Sequence, residues 1–154
     1  MVIVSIGKQM LYHRRATGVW HAYPVSTAAL GTGNRRGSFQ TPLGRHRIGN
    51  KIGAGLPMYT AFVGRRPVGI YTPGSKDEGR DWILTRILWL DGMDTGRNRR
   101  GPVDTRSRYI YIHGTHEEDR MGIPASHGCI RMRNLDMLEL FMHCRAGERV
   151  LIRP

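Results

Sequence analysis

The run Tyr109-Ile110-Tyr111-Ile112-His113-Gly114 decides how this chain is read. Aromatic and β-branched residues in alternation suit a pleated strand, whose side chains leave opposite faces in turn. Period-two geometry puts His113 on the face of Tyr109 and Tyr111, with Ile110 and Ile112 on the other. His113 is the last residue before Gly114, so it stands at the end of a strand, where a following loop can be aimed at it.

Outward from this strand the chain reads as β-rich. Asp81–Leu90 alternates, with Trp82, Leu84, Leu88 and Leu90 on one side and Ile83, Thr85, Ile87 and Trp89 on the other. Apolar residues on both faces predict a strand covered on both sides. Between these two strands lies a polar loop, Gly92 to Arg108. Upstream, Arg45–Ile48, Met58–Val63 and Val68–Tyr71 are short strand candidates, and Val19–Val25 is another. Residues 2–6 and 9–14 form a hairpin pair around Gly7-Lys8. Gly31 to Gly44 is turn-rich and contains Thr41-Pro42-Leu43-Gly44, a shaped loop because proline fixes one dihedral and glycine frees others.

Downstream, one helix is expected. Asn134 suits its N-cap, Asp136 its first turn, and Leu135, Leu138, Phe141 and Met142 form an apolar stripe. Arg145 and Gly147 supply a basic last turn and a stop, and Arg149–Ile152 reads as a closing strand. The expected architecture is mainly β with minor α, one domain over residues 1–154 with its principal helix near the C-terminus.

Composition narrows the function classes. The chain has 154 residues, 40% of them apolar and 23% charged, enough for a sizeable core and too few for two full domains. Its 24 basic and 12 acidic residues give a net charge of +12, which attracts polyanions and carboxylate-rich substrates without choosing among them. Two cysteines, Cys129 and Cys144, do not make a disulfide scaffold. No stretch approaches a membrane span. Met1–Lys8 lacks a basic head followed by an apolar run, so with Met1 as the natural start a cytoplasmic protein is expected. A chain trimmed at that end would instead be periplasmic.

The chemistry concentrates in Ser126-His127-Gly128-Cys129-Ile130-Arg131. Glycine before the thiol lets backbone N–H groups approach a carbonyl, and Gly128 and Cys129 are candidate oxyanion donors. A cysteine becomes a nucleophile when a base or positive charge is near. His127 would share the face of Cys129 in an extended stretch, but His113, at its strand end, is the preferred base, with His127 shaping the site. Cys144 falls on the Met137/Phe141 side of the helix and is expected to pack in the core. His13, His21, His46 and His143 have no motif around them and are read as surface or structural.

Two rival readings are weaker. His113, His116, His127 and Cys129 are zinc-ligand types, but their spacing fits no zinc signature, so no metal is expected. Arg97, Arg99, Arg100, Arg106 and Arg108 could touch phosphates, but no recognition-helix or RNA-binding motif accompanies them. A solvated basic loop is the expectation, with no nucleic-acid partner.

His113-Gly114-Thr115, the run Gly122-Ile123-Pro124-Ala125-Ser126-His127-Gly128-Cys129-Ile130-Arg131-Met132 and the turn Thr41-Pro42-Leu43-Gly44 together resemble the L,D-transpeptidase catalytic-domain (YkuD-like) family, over nearly the whole chain. The resemblance implies a β-sandwich-like fold with Cys129 as nucleophile and His113 as base, oriented by the carbonyl of Gly114. It implies His127 as a second active-site histidine, Gly128 and Cys129 as backbone donors, and Arg131, with Ser126 and Thr115, as shaping the site or placing substrate. The implied substrates are anionic peptidoglycan stem tetrapeptides or muropeptides, cleaved between the L-centre of meso-diaminopimelate and D-alanine through a thioester, with no cofactor. Without a leader or wall-binding domain in the sequence, hydrolysis by an L,D-carboxypeptidase in murein recycling is preferred over transpeptidation. Acylation of Cys129 by carbapenems is a further expectation of the resemblance.

Overall fold

The computed structural model describes residues 1–74 and 79–154. The described residues form the strands β1 (Val2–Ser5), β2 (Met10–Arg14), β3 (Trp20–Ser26), β4 (Gly44–Ile52), β5 (Thr60–Val63), β6 (Arg66–Ile70), β7 (Ile83–Gly92), β8 (Tyr111–Gly114), β9 (Ile130–Met132) and β10 (Arg149–Arg153), with the helix α1 (Asn134–His143) between the last two. The sheet runs β4-β10-β1-β2-β3-β9-β8-β7, and β4 also pairs with β7. Eight strands therefore close on themselves without a free edge, and the β5–β6 hairpin hangs from the start of β7.

Inward residues of this ring make one core. Val4, Leu11, Val25, Ile48, Leu88, Leu90, Ile112, Ile130, Met132 and Ile152 are fully or almost fully buried together, joined by Met137 and Leu140 of α1. Each such side chain contributes roughly 1.5–3 kcal/mol. A second cluster lies on the opposite face of β7 and β8, where Phe62, Ile87 and Tyr111 are buried with Trp89, Ile83 and Cys129 against them. That outer cluster is why β7 is apolar on both faces.

The alternation along β7 survives an interruption. Leu84 pairs with Gly114 but Ile87 with His113, so Thr85 and Arg86 bulge out of the ladder. Thr85 holds φ at 74°, and its hydroxyl donates to Asn134 Oδ1 (2.6 Å) while accepting from the Tyr59 N–H (3.1 Å). An insertion of two residues leaves the period-two phase intact.

The structure corrects several expectations. Tyr109 is not in the central strand, because its φ of 56° turns the chain and the strand starts at Tyr111. Asn134 is the first helical residue and caps nothing. Its amide instead donates to the Thr115 carbonyl (2.7 Å) and to Glu118, pinning the helix to the exit of β8. The buried helix face is Met137, Leu140, Phe141 and Cys144, whereas Leu135 and Met142 are exposed. Lys51 fixes that choice by donating to the carbonyls of Phe141 (2.7 Å) and Cys144 (2.8 Å), a cation at the helix C-terminus.

Within the loop between β7 and β8 the arginines do not form one patch. Arg106 lies 3.8 Å from the centre of the Trp89 ring and pairs with Asp91, and Arg108 turns inward, leaving Arg97, Arg99 and Arg100 exposed. His13 and His46 are buried and bonded, His13 to Glu148 (2.9 Å) and His46 to the Gly44 carbonyl and the Thr105 hydroxyl (both 3.0 Å). Among the described residues no helix is long and apolar enough to cross a membrane.

Candidate active site

Strands β8 and β9 are parallel neighbours, with Ile112 opposite Ile130 and His113 opposite Arg131. Parallel strands cannot be joined by a tight turn. Residues 115–129 therefore cross over, and this crossover delivers Cys129 beside Tyr111. Since Ile112 and Ile130 point into the core, Cys129 and Arg131 share the outer face with Tyr111 and His113. His113 is thus the diagonal neighbour of Cys129 across the ladder, within reach of long side chains.

The loop before the thiol is pinned from three sides. The N–H groups of Ala125 and Ser126 both donate to the Thr27 carbonyl (2.9 Å each). The Ser126 hydroxyl donates to the Cys129 carbonyl (2.6 Å) and accepts from the Gly128 N–H (3.2 Å). Thr41, buried in the Thr-Pro-Leu-Gly turn, donates to the Gly128 carbonyl (2.9 Å). Gly128 has a φ of +131°, and a Cβ there would sit 3.2 Å from Ile110 Cδ1 and 3.3 Å from the Gln40 carbonyl. Both the dihedral and the space require glycine.

One expectation about this loop changes. The Gly128 N–H is spent on Ser126, so the two anticipated oxyanion donors are not both presented; the Cys129 N–H is the remaining member of the pair.

At rest the thiol is neutral. The Cys129 sulfur accepts from the Tyr111 N–H (3.3 Å), and its own proton is directed to the Tyr109 carbonyl (3.4 Å). Burial pushes its pKa up to about 12, overcoming the Tyr111 hydrogen bond and the charges of Arg131 and Arg108. His113 is shifted the other way. Its pKa is lowered, chiefly by burial, against the attraction of Asp81 and the bond to Gly114. Its Nδ1–H donates to the Gly114 carbonyl (2.6 Å), and a carbonyl can only accept. The neutral ring must therefore carry a lone pair on Nε2, a buried atom with no hydrogen-bond partner among the described residues. A neutral thiol faces the same side of the sheet as an unprotonated, oriented nitrogen.

Around this pair runs a charged network. Arg131, 3% exposed, donates to Asp81 (2.7 Å) and Glu117 (2.9 Å), so it holds the site's walls together. The ring of His127 is exposed, its Nδ1–H donates to Asp81 (3.2 Å), and its edge meets Phe39. Burial raises the Asp81 pKa, but His113, Arg131 and His127 together outweigh it and hold the carboxylate below its ordinary value. Thr115 is fully buried; its carbonyl accepts from Asn134 and its hydroxyl from the Glu117 N–H (3.1 Å).

Asp81 and Glu117 were not anticipated as site residues. For Asp81 the available signal was an acid at the start of an otherwise apolar alternating run. Among the described residues no three His, Cys, Asp or Glu side chains are gathered as a metal site would need. Cys129 and Cys144 are both free thiols.

The sequence profile of YkuD, the L,D-transpeptidase catalytic domain, matches residues 1–152. The chain belongs to the L,D-transpeptidase catalytic-domain family. A putative L,D-transpeptidase of Fuscovulum blasticum, from an ATP synthase subunits region, is 33% identical over 85 residues, covering 50% of this chain and 45% of its own. The probable L,D-transpeptidase ErfK/SrfK of Salmonella typhimurium is 32% identical over 121 residues, 62% of this chain and 39% of the relative. This L,D-transpeptidase-family chain thus spans less than half the length of either. The fold is shared with L,D-transpeptidase 3 from Mycobacterium tuberculosis, solved with a faropenem-derived adduct, at a TM-score of 0.57 and 16% identity, over 99% of this chain and 59% of the other. Its mainly β architecture with one helix is that of L,D-transpeptidase catalytic domains, the strands closing into one ring rather than two stacked sheets.

Proposed function

We propose that this domain catalyses cysteine-dependent acyl transfer on peptidoglycan stem tetrapeptides, opening the bond between the L-centre of meso-diaminopimelate and the terminal D-alanine. The observation that carries it is the His113 ring, held through Nδ1 by Gly114 with Nε2 unpartnered among the described residues, on the strand next to the one that Cys129 enters. Burial pushes the thiol pKa up and the sulfur's proton is directed to the Tyr109 carbonyl, so on this reading the proton leaves sulfur as the bond to carbon forms. Nε2 takes that proton, sulfur bonds to the scissile carbonyl carbon, and the carbonyl oxygen becomes an oxyanion beside the Cys129 N–H. Imidazolium then protonates the departing amine of D-alanine as the C–N bond breaks, leaving a thioester on Cys129.

The thioester passes to water, giving tripeptide in murein recycling, or to an amine, giving a 3-3 cross-link or an exchanged D-amino acid. Two cavities favour the amine. One of about 520 Å³ is lined by Arg36, Phe39, Arg108, Tyr109 and His127, at the Cys129 end. The other, about 500 Å³, is lined by Tyr59, Tyr71, Thr115, His116 and Asn134, beyond His113. An acyl donor and an acceptor need two such openings, whereas water needs one. Hydrolysis goes with a cytoplasmic location and cross-linking with a periplasmic one.

Mass spectrometry of the products from a disaccharide tetrapeptide, with and without added D-amino acid, separates these outcomes. Exchange product or dimer is expected; tripeptide and D-alanine in both reactions would move the assignment to the carboxypeptidase. Intact-protein mass after a penem or carbapenem tests the nucleophile itself, with the adduct expected on Cys129. An unmodified protein, or an adduct on Cys144, would overturn the reading.

A further inference from the structure

Several arginines of the molecule are neutralised, while Arg65 near the site is spent on the Tyr111 hydroxyl and the Trp89 and Tyr109 rings. Arg131 meets Asp81 and Glu117, Arg106 and Arg47 meet Asp91, and Arg45 meets Asp94. Arg36 and Arg108, which line the cavity at the Cys129 end, make no ion pair within 4 Å among the described residues. Arg36 donates to the Ser107 hydroxyl (2.8 Å). Its closest electrostatic partner is Asp104, whose two oxygens already accept the N–H groups of Arg100 (2.6 Å) and Ser107 (2.9 Å). Arg108 is half-buried and donates only to neutral oxygens, those of Gly33 (3.1 Å), Ser38 (3.2 Å) and Gln40 (2.7 Å). These three bonds use three of its five N–H groups and hold the guanidinium rigidly. Its charge is felt at the Cys129 sulfur, so it stands within electrostatic range of the reacting atom.

Apart from Ser107, the rest of the cavity lining is apolar or aromatic. Phe39 and Tyr109 are more than half exposed on its walls and offer apolar surface to a ligand. Two guanidinium groups that make no ion pair within 4 Å among the described residues, between aromatic walls and beside Cys129, fit an amphipathic anion. Resting on the acyl-transfer reading above, we infer that this cavity is the subsite for a carboxylate of the acyl donor, gripped between Arg36 and Arg108 with its aliphatic part against Phe39 and Tyr109. The domain then selects stem peptides whose carboxylates are free over the same peptides carrying amides. Burial also lowers the Arg108 pKa, the mark of a cation short of an anion.

Binding to the Cys129→Ala protein tests this without requiring turnover. Calorimetry would compare the tetrapeptide with the same peptide amidated at its C-terminus, and with the peptide amidated at its internal carboxylates. One amidation is expected to weaken binding about tenfold or more, the loss of a charge-assisted hydrogen bond. Arg36→Gln is exposed and should fold; in it the acid-to-amide ratio should fall towards one, and Arg36→Lys should restore part of it. Arg149→Gln removes the same charge from the exposed surface of β10 and should leave the ratio unchanged, which excludes general attraction by the basic surface. Equal affinity for acid and amide peptides, or a ratio that Arg36→Gln and Arg149→Gln alter equally, would overturn the subsite. Selectivity without any turnover in the native protein would keep the subsite and sink the acyl-transfer reading; turnover without selectivity would do the reverse.

Discussion

Cys129 and Cys144 are fifteen positions apart, and burial pushes both thiols far above their ordinary pKa, to about 12 and about 11. On that measure alone Cys144 would be the better nucleophile. Their surroundings say otherwise. Cys144 is in the main core, its sulfur 3.8 Å from the Phe141 carbonyl, and the adjacent ammonium of Lys51 is committed to main-chain oxygens. Cys129 lies in the outer cluster, with one side against Tyr111 and a base on the neighbouring strand. Burial therefore disfavours the thiolate at both positions. On the proposed reading, what separates them is where the proton can go, since His113 would remove it during attack.

The sharpest way to break that comparison is to delete each sulfur in turn. Cys129→Ala should cost at least ~10³-fold in turnover of a tetrapeptide while leaving the melting temperature nearly unchanged. Cys144→Ala should keep most of the turnover and lose about 1 kcal/mol of stability, because it leaves a small void beside Phe141. Parallel steady-state kinetics and thermal melts of the two variants check this. Equal losses of activity would mean that neither position is privileged.

His113→Ala sharpens the same point from the side of the base. Turnover should drop at least ~10²-fold, with the Cys129 thiol still present and countable by denatured thiol titration. The pH profile carries the sign. A base works only when unprotonated, and the His113 pKa is lowered by burial, so activity should persist below pH 6.5 and fall only as the pH drops through that lowered value. An acid limb above 6.5 would mean that a different group takes the proton.

What was legible in the sequence was local. The alternation of Tyr111 to His113 and of β7 was readable because the bulge at Thr85-Arg86 adds two residues and so leaves the phase unchanged. Gly128 before Cys129 was readable because its neighbours in space include its neighbours in sequence. The helix face was not, since Leu135 and Met142 are as apolar as Met137 and Leu140; Lys51, far along the chain, chooses between them. Asn134 looked like a cap because its true partners, Thr85, Thr115 and Glu118, come from two other segments. Asp81 was missed for the same reason, its partners His127 and Arg131 being 46 and 50 residues away.

Asp81 also gives the smallest and most discriminating prediction. Its negative charge acts on both halves of the reacting pair, raising the His113 pKa and raising that of Cys129. For proton transfer from sulfur to nitrogen these effects oppose each other, because Asp81 stabilises the imidazolium formed and destabilises the thiolate formed. Asp81→Asn keeps the shape and a donor–acceptor group for Arg131 and His127 but removes the charge. The plateau rate should therefore change by only a few-fold, while the acid limb moves to lower pH, since His113 loses an attraction that favours its charged form. A pH–rate profile of Asp81→Asn against the native protein reads both quantities at once. A limb that stays in place or rises would show that the carboxylate is not felt at the base as an attraction for its charged form.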